Sequence, residues 1–170
     1  MRKKRIYFII SLWIGVLLYF LSVDLYSSDG HIPNFAIYDI HGKRYVFYDI
    51  LNTLSDDGIL ILNFTSIHCQ PCKKEIPELL SIANETTSCK LMCVYTEVGS
   101  EARGSAEKLG VSKQAFVDPF GNIRMKIFQK ERIKIPTTLL VDKDRTLIKT
   151  FTGYSRDNIE SIHEYIDSRQ

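Results

Sequence analysis

The chain has 170 residues, of which 45% are apolar and 25% are charged. This length suffices for one globular core and a short additional segment. The formal net charge of +2 is unevenly distributed, because the cluster Arg2-Lys3-Lys4-Arg5 leaves the rest of the chain slightly acidic. The distribution argues against an extended basic surface, and we expect no nucleic-acid partner.

The N-terminal segment has the pattern of a membrane anchor. Residues 1–5 form a basic tip, and residues 6–23 contain no charged side chain. A helix over 6–23 would be about 27 Å long, close to the thickness of bilayer hydrocarbon. The positive-inside rule places the tip in the cytoplasm and the remaining chain outside a bacterial cytoplasmic membrane, as a single-pass protein. The alternative is a cleaved signal peptide, but the apolar run exceeds the usual ~7–15 residues and no Ala-x-Ala-like site follows.

The rest of the chain predicts a short linker and one α/β domain. Segment 24–31 is polar and predicts the linker, and residues 32–170 predict the domain. The other predicted elements are, in chain order, a hairpin of strands 35–40 and 44–48, a buried strand over 59–64, a helix over 71–84, a strand over 91–95, a helix over 103–109, a strand over 115–117, a helix over 122–129, a hairpin of strands 137–141 and 147–152, and a last helix that starts near Asp157. This order predicts a mixed sheet covered by helices.

The motif Cys69-Gln70-Pro71-Cys72 lies where the buried strand gives way to a helix. Pro71 suits a first helical turn, and cysteines at i and i+3 of a helix have Cα atoms roughly 5 Å apart, within reach of a disulfide. Cys69 would lie at the helix start, where unpaired N–H groups and the partial positive charge favour a thiolate. We therefore predict a disulfide that opens and closes, with Cys69 as the attacking nucleophile.

Several short motifs together carry a resemblance to a known family. They are Pro33-Asn34-Phe35, Asp39 with Gly42-Lys43, Asn63-Phe64, the segment 69–79 and the segment 135–142. The chain from residue 32 to about residue 168 resembles the TlpA/ResA-like branch of the thioredoxin superfamily, which consists of membrane-tethered bacterial oxidoreductases often linked to cytochrome c maturation. The resemblance implies a thioredoxin fold with an N-terminal β-hairpin and a central β-α insertion near residues 103–117.

The resemblance also implies roles for individual residues. Cys69 attacks and Cys72 resolves the mixed disulfide, and no cofactor is required. Glu75 falls on an acidic position where a buried carboxylate could relay a proton; the alternative is a solvated glutamate in a Lys-Lys-Glu surface turn. Pro136, preceded by Ile135, falls on the cis-proline that presents backbone to clients; the alternative is a trans-proline at a strand start.

Two positions depart from the family pattern. The family usually has Trp immediately before the first cysteine and another near the end of the preceding strand, where this chain has His68 and Thr65. Client binding is therefore expected to differ from that of the family. The residues around the cysteines that are expected to contact clients are His68, Gln70 and Pro71. A protonated His68 could further stabilise the Cys69 thiolate; the alternative is an exposed loop histidine.

Cys89 and Cys93 are not expected to form a second redox pair. Four extended residues cover about 13 Å, beyond the ~7 Å limit on the Cα separation of a disulfide. Cys93 is predicted to be a small buried apolar side chain. The environment of Cys89 stays open, because it lies at the predicted turn before the strand.

The sequence thus predicts an extracytoplasmic thiol-disulfide oxidoreductase. The resemblance implies as partners client protein thiols and disulfides, apocytochrome c among them, and a membrane thiol-electron donor. A reductant role is favoured over a general disulfide oxidant on family analogy alone.

Three other functions are weaker alternatives. A copper or other metal chaperone would need a longer cysteine spacing, and His31, His41 and His163 have no motif context. A thiol peroxidase is disfavoured because Cys72 is immediately available to resolve. A non-catalytic binding module is disfavoured by the presence of both cysteines and Pro136.

Overall fold

The computed structural model describes residues 30–130 and 132–169. The strands are β1 (Ala36–Asp39), β2 (Arg44–Val46), β3 (Ile59–Thr65), β4 (Cys89–Tyr95), β5 (Ala115–Val117), β6 (Thr137–Asp142) and β7 (Leu147–Thr152). The helices are α1 (Phe47–Leu51), α2 (Gln70–Glu85), α3 (Gly99–Lys108), α4 (Asn122–Phe128) and α5 (Arg156–Asp167).

The strands form one seven-stranded sheet in the order β2-β1-β5-β4-β3-β6-β7. Strands β3, β4 and β5 are parallel, and β6 runs antiparallel to β3. The loops that follow the three parallel strands therefore share one edge of the sheet with the start of β6. The predicted mixed sheet is confirmed, and this edge carries the candidate site.

Helices cover both faces of the sheet. Every residue of β3 is buried, and its side chains alternate between the two faces. On one face Ile61 belongs to a core shared with α2, α3 and α5, and on the other Leu62 belongs to a core shared with α1 and α4. Because helices cover both faces, most residues in the sequence of β3 are apolar.

The boundaries of several elements differ from the prediction. The helix predicted over 103–109 begins at Gly99, and the strand predicted over 91–95 begins at Cys89. The second hairpin strand ends at Val46 and the chain enters α1, because Phe47 and Leu51, four residues apart, both bury their side chains. Helix α5 begins at Arg156, because Ser155 is its cap and accepts a 3.1 Å hydrogen bond from the N–H of Asn158.

Among the residues that the structure describes, no helix has the length and apolar character needed to cross a membrane. The predicted basic tip 1–5, the predicted anchor 6–23 and residues 24–29 of the predicted linker lie outside the described residues.

Candidate active site

Cys69 and Cys72 lie at the N-terminus of α2 and are joined by a disulfide, with 5.3 Å between their Cα atoms. Cys69 is the N-cap residue in an extended conformation, and its Sγ accepts a 3.2 Å hydrogen bond from the backbone N–H of Cys72. Pro71 occupies the first turn, where its missing N–H costs no helical hydrogen bond. Cys72 is only 1% exposed, whereas Cys69 is half-buried. An incoming sulfur can therefore reach Cys69 more readily than Cys72.

The loop between β3 and Cys69 is held by a carboxylate from the neighbouring loop. Glu97 follows β4 and accepts hydrogen bonds from the Ser66 hydroxyl at 2.6 Å and from the backbone N–H of Ile67 at 3.2 Å. The Ser66 hydroxyl also accepts the N–H of His68 at 3.3 Å. Glu97 was not singled out in the sequence, because no local pattern relates it to a loop about 30 residues away.

Glu75 lies one helical turn beyond Cys72 and is buried, with 1% of its surface exposed. Its Oε2 accepts a 3.0 Å hydrogen bond from Asn63 Nδ2, and its Oε1 accepts a 3.1 Å hydrogen bond from the Thr138 hydroxyl. Burial raises the pKa of Glu75 to about 7; the hydrogen bonds from Thr138 and Asn63 lower it, and the negative charge of Glu78 adds to the rise. The alternative of a solvated surface glutamate is therefore excluded.

The Ile135–Pro136 peptide bond is cis, which excludes the trans alternative. Pro136 is buried and Ile135 is half-buried, immediately before β6. Because β6 starts at the edge where β3 ends, this pair lies on the same side of the sheet as the disulfide. The Pro136 carbonyl accepts the N–H of Gly153 at 2.8 Å.

The other residues predicted to contact clients surround Cys69. His68, Gln70 and Pro71 are all exposed. The structure thus brings the predicted site residues to one edge of the sheet, with the exposed side chains around the disulfide and Glu75 beneath it.

Cys89 and Cys93 are free and buried, which confirms that they do not form a second pair. Burial raises the pKa of the Cys89 thiol to about 12. Burial, and to a smaller extent the negative charge of Glu75, raises the pKa of Cys93 above its usual range. Both thiols are therefore poor nucleophiles at neutral pH.

Within residues 30–130 and 132–169, no group of three or more His, Cys, Asp or Glu side chains is placed to hold a metal ion.

No protein-family model matches the chain. It is 27% identical to the thiol-disulfide oxidoreductase ResA of Bacillus subtilis. The alignment is 180 residues long, gaps included, and covers 98% of this chain and 95% of that protein. In three dimensions it is similar to StoA from Bacillus subtilis, with a TM-score of 0.58 and 23% identity over 80% of this chain and 98% of StoA. It is also similar to a thiol:disulfide interchange protein from Bacteroides sp., with a TM-score of 0.65 and 15% identity over 83% of this chain and 91% of that chain. The chain is therefore similar to ResA over almost its whole length, and it is a thiol-disulfide oxidoreductase with a thioredoxin fold.

Proposed function

We propose that the protein reduces disulfides of client proteins outside the cytoplasmic membrane, with Cys69 and Cys72 as the catalytic pair. In the reduced protein, the Cys69 thiolate attacks one sulfur of a client disulfide, forming a mixed disulfide and releasing the first client thiolate. Cys72 then attacks Cys69 Sγ, which restores the Cys69–Cys72 disulfide and releases the second client thiolate. Two electrons pass to the client. The observation that carries this proposal is the disulfide at the start of α2 with a carboxyl group buried beneath it.

The local geometry supports the order of attack. Cys69 is the more accessible sulfur, and the Cys72 N–H and the start of α2 stabilise negative charge on its Sγ. Cys72 is buried, so a client sulfur cannot easily reach it, and its own target is the adjacent Sγ of Cys69.

Glu75 carries the proton of the second step. Cys72 must lose its proton as it attacks Cys69, and a carboxylate with a pKa of about 7 can accept that proton near neutral pH. In the reverse reaction the protonated carboxyl group returns the proton to the leaving Cys72 thiolate. The same residue therefore serves both directions of exchange.

Clients are proposed to bind across the exposed edge around Cys69. His68, Gln70 and Pro71 are exposed around its sulfur, and the cis pair Ile135–Pro136 lies at the same edge of the sheet. Because the Pro136 carbonyl is bonded to Gly153, Ile135 is the residue of this pair that can offer its backbone to a client.

The reductant role, with apocytochrome c as a client and a membrane thiol donor as the source of electrons, rests on the similarity to ResA. It predicts a reduction potential for the full-length protein near that of thioredoxin, about −270 mV, rather than near that of DsbA, about −120 mV. Equilibration with redox buffers of known potential, followed by thiol alkylation, measures this value. A potential close to −120 mV would contradict the reductant role and favour a general disulfide oxidant.

The proposed location predicts which side of the membrane exposes Cys69. A membrane-impermeant thiol reagent should label the reduced protein in intact spheroplasts, because the domain is proposed to face outward. Labelling should be absent from a Cys69→Ser, Cys72→Ser double variant, in which only the buried Cys89 and Cys93 remain. Labelling that occurs only after the membrane is permeabilised would place the domain in the cytoplasm.

A further inference from the structure

Two polar side chains lie on adjacent inner strands of the sheet, on the face that is covered by the active-site helix. Asn63 of β3 and Thr138 of β6 are partners in the antiparallel ladder, and both are completely buried. The next pair on the same face, Ile61 and Leu140, is apolar and belongs to the core. The polar pair therefore interrupts an apolar surface at the level of Glu75.

Asn63, Thr138 and Glu75 form a closed set of hydrogen bonds. Asn63 Nδ2 donates to Glu75 Oε2 at 3.0 Å and to the Thr138 hydroxyl oxygen at 2.9 Å, and the Thr138 hydroxyl donates to Glu75 Oε1 at 3.1 Å. Each carboxylate oxygen thus has its own donor, supplied from a different strand. Because both oxygens are held, the orientation of the carboxyl group is fixed one turn from Cys72.

The other end of the Asn63 amide indicates why the residue is there. In the described part of the chain its Oδ1 is buried and has no hydrogen-bond partner. An unpaired buried oxygen destabilises the fold, and an apolar side chain at this position would avoid that cost. The amide therefore contributes through its Nδ2, and both contacts of Nδ2 belong to the Glu75 cluster.

Among the described residues, no cationic side chain contributes to the pKa of Glu75. The titratable groups coupled to it are Glu78 on α2, Cys93 on β4 and Tyr154 after β7, all of them neutral or acidic. A carboxylate without a nearby cation depends on neutral hydrogen-bond donors to remain charged when it is buried.

We propose that Asn63 and Thr138 are positioning residues, which hold the Glu75 carboxyl group beneath the disulfide and stabilise its ionised form. This inference rests on the proposed role of Glu75 in proton transfer and extends it to residues that touch neither the client nor the cysteines. Without the two donors, no hydrogen bond offsets the effect of burial on the pKa of Glu75. The carboxyl group then retains its proton to higher pH.

The full-length oxidised protein provides the direct test, because its disulfide cysteines do not titrate. Carboxyl carbon NMR follows the titration of Glu75 in Thr138→Val and Asn63→Leu. We expect each substitution to move the midpoint upward by about one pH unit. Thr138→Ser keeps the hydroxyl and should restore the midpoint of the parent protein. Thr138→Val preserves side-chain shape, so it remains informative if Asn63→Leu fails to fold.

Thr65→Val is the matched control. Thr65 is also a completely buried threonine at the same edge of the sheet, and its hydroxyl makes no hydrogen bond within the described residues. Its replacement should leave the midpoint of Glu75 unchanged. Equal midpoints in Thr138→Val and Thr65→Val would overturn the positioning role.

The pH profile of disulfide exchange separates this inference from the proposed function. We expect the profile of Thr138→Val to move to higher pH by the same amount as the NMR midpoint. If the NMR midpoint moved and the pH profile of exchange did not, proton transfer by Glu75 would be contradicted. The effect of the hydrogen bonds on the titration of Glu75 would still stand.

Discussion

The Cys69→Ser protein should reduce an insulin-type disulfide no faster than buffer does, whereas the Cys72→Ser protein should accumulate a mixed disulfide with its client. A serine at residue 69 cannot form the intermediate, because the mixed disulfide requires a sulfur atom at this position. A serine at residue 72 leaves the first attack intact but removes the thiol that resolves it. Insulin turbidity, with a dithiol reductant that regenerates the Cys69–Cys72 pair, measures turnover, and a non-reducing gel detects the mixed disulfide.

Cys89→Ala provides the control for these substitutions. Cys89 lies at the beginning of β4, the end of the strand far from the active-site edge, and its thiol is free and buried. Its removal should leave turnover unchanged, even if stability falls. Full turnover by a Cys72→Ala protein would refute the two-cysteine mechanism, because the remaining free thiols, Cys89 and Cys93, are buried and poor nucleophiles.

The features of the site that depend on local geometry could be predicted from the sequence. The spacing of Cys69 and Cys72 and the position of Pro71 each specify a helix start without reference to the rest of the fold. The structure accordingly places Cys69 at the cap of α2. The resemblance supplied the cis geometry at Pro136, which no property of the residue itself determines.

The burial of Glu75 could not be decided from its charged neighbours, although helical spacing contained a usable signal. Cys72, Ile76 and Leu79 lie on the buried side of α2. Glu75 is three residues after the first and four before the last, so it lies within the same stripe. The two lysines before it belong to the exposed side. The helical position of Glu75 therefore favours the buried carboxylate, whereas the Lys-Lys-Glu composition alone would suggest the solvated alternative.

The partners of Glu75 were not identified because they depend on tertiary structure. Asn63 is a polar residue within the apolar run 59–64, which is a signal for a special role. Thr138 is 75 residues further along the chain, and only the antiparallel pairing of β3 with β6 brings the two together. Sequence spacing within one element carries no information about that pairing.

Glu75 should make the stability of the oxidised protein depend on pH. The pKa of this group is about 7 in the fold, above the ordinary value of 4.5 that it regains on unfolding. Between these values the folded protein retains a proton that the unfolded chain has released, so the free energy of unfolding falls as the pH rises. The difference between the two pKa values corresponds to a loss of about 3 kcal/mol, complete above pH 7 and absent below pH 4.

The Glu75→Gln substitution should remove this dependence. The difference in the free energy of unfolding between the variant and the parent should rise by about 3 kcal/mol, in favour of the variant, from pH 4 to pH 8. Urea denaturation of the oxidised proteins measures this difference. Any constant cost of placing an amide nitrogen against Asn63 Nδ2 cancels, because it is the same at both pH values. The variant can neither accept nor donate the proton of Cys72, so exchange should also slow by about 10²-fold.

Glu107→Gln is the control for the loss of one carboxylate. Glu107 is exposed on α3, where solvent surrounds its charge in the folded and unfolded states alike. Its replacement should therefore leave the pH dependence of stability and the exchange rate close to those of the parent. For each variant, the quantity compared is the change in its free energy of unfolding between pH 4 and pH 8, relative to the parent. If this change were the same for Glu75→Gln as for Glu107→Gln, the Glu75 carboxyl group would have its ordinary pKa in the fold. A group that is fully ionised at pH 6 could not return a proton to Cys72, and its proposed place in the exchange reaction would be lost.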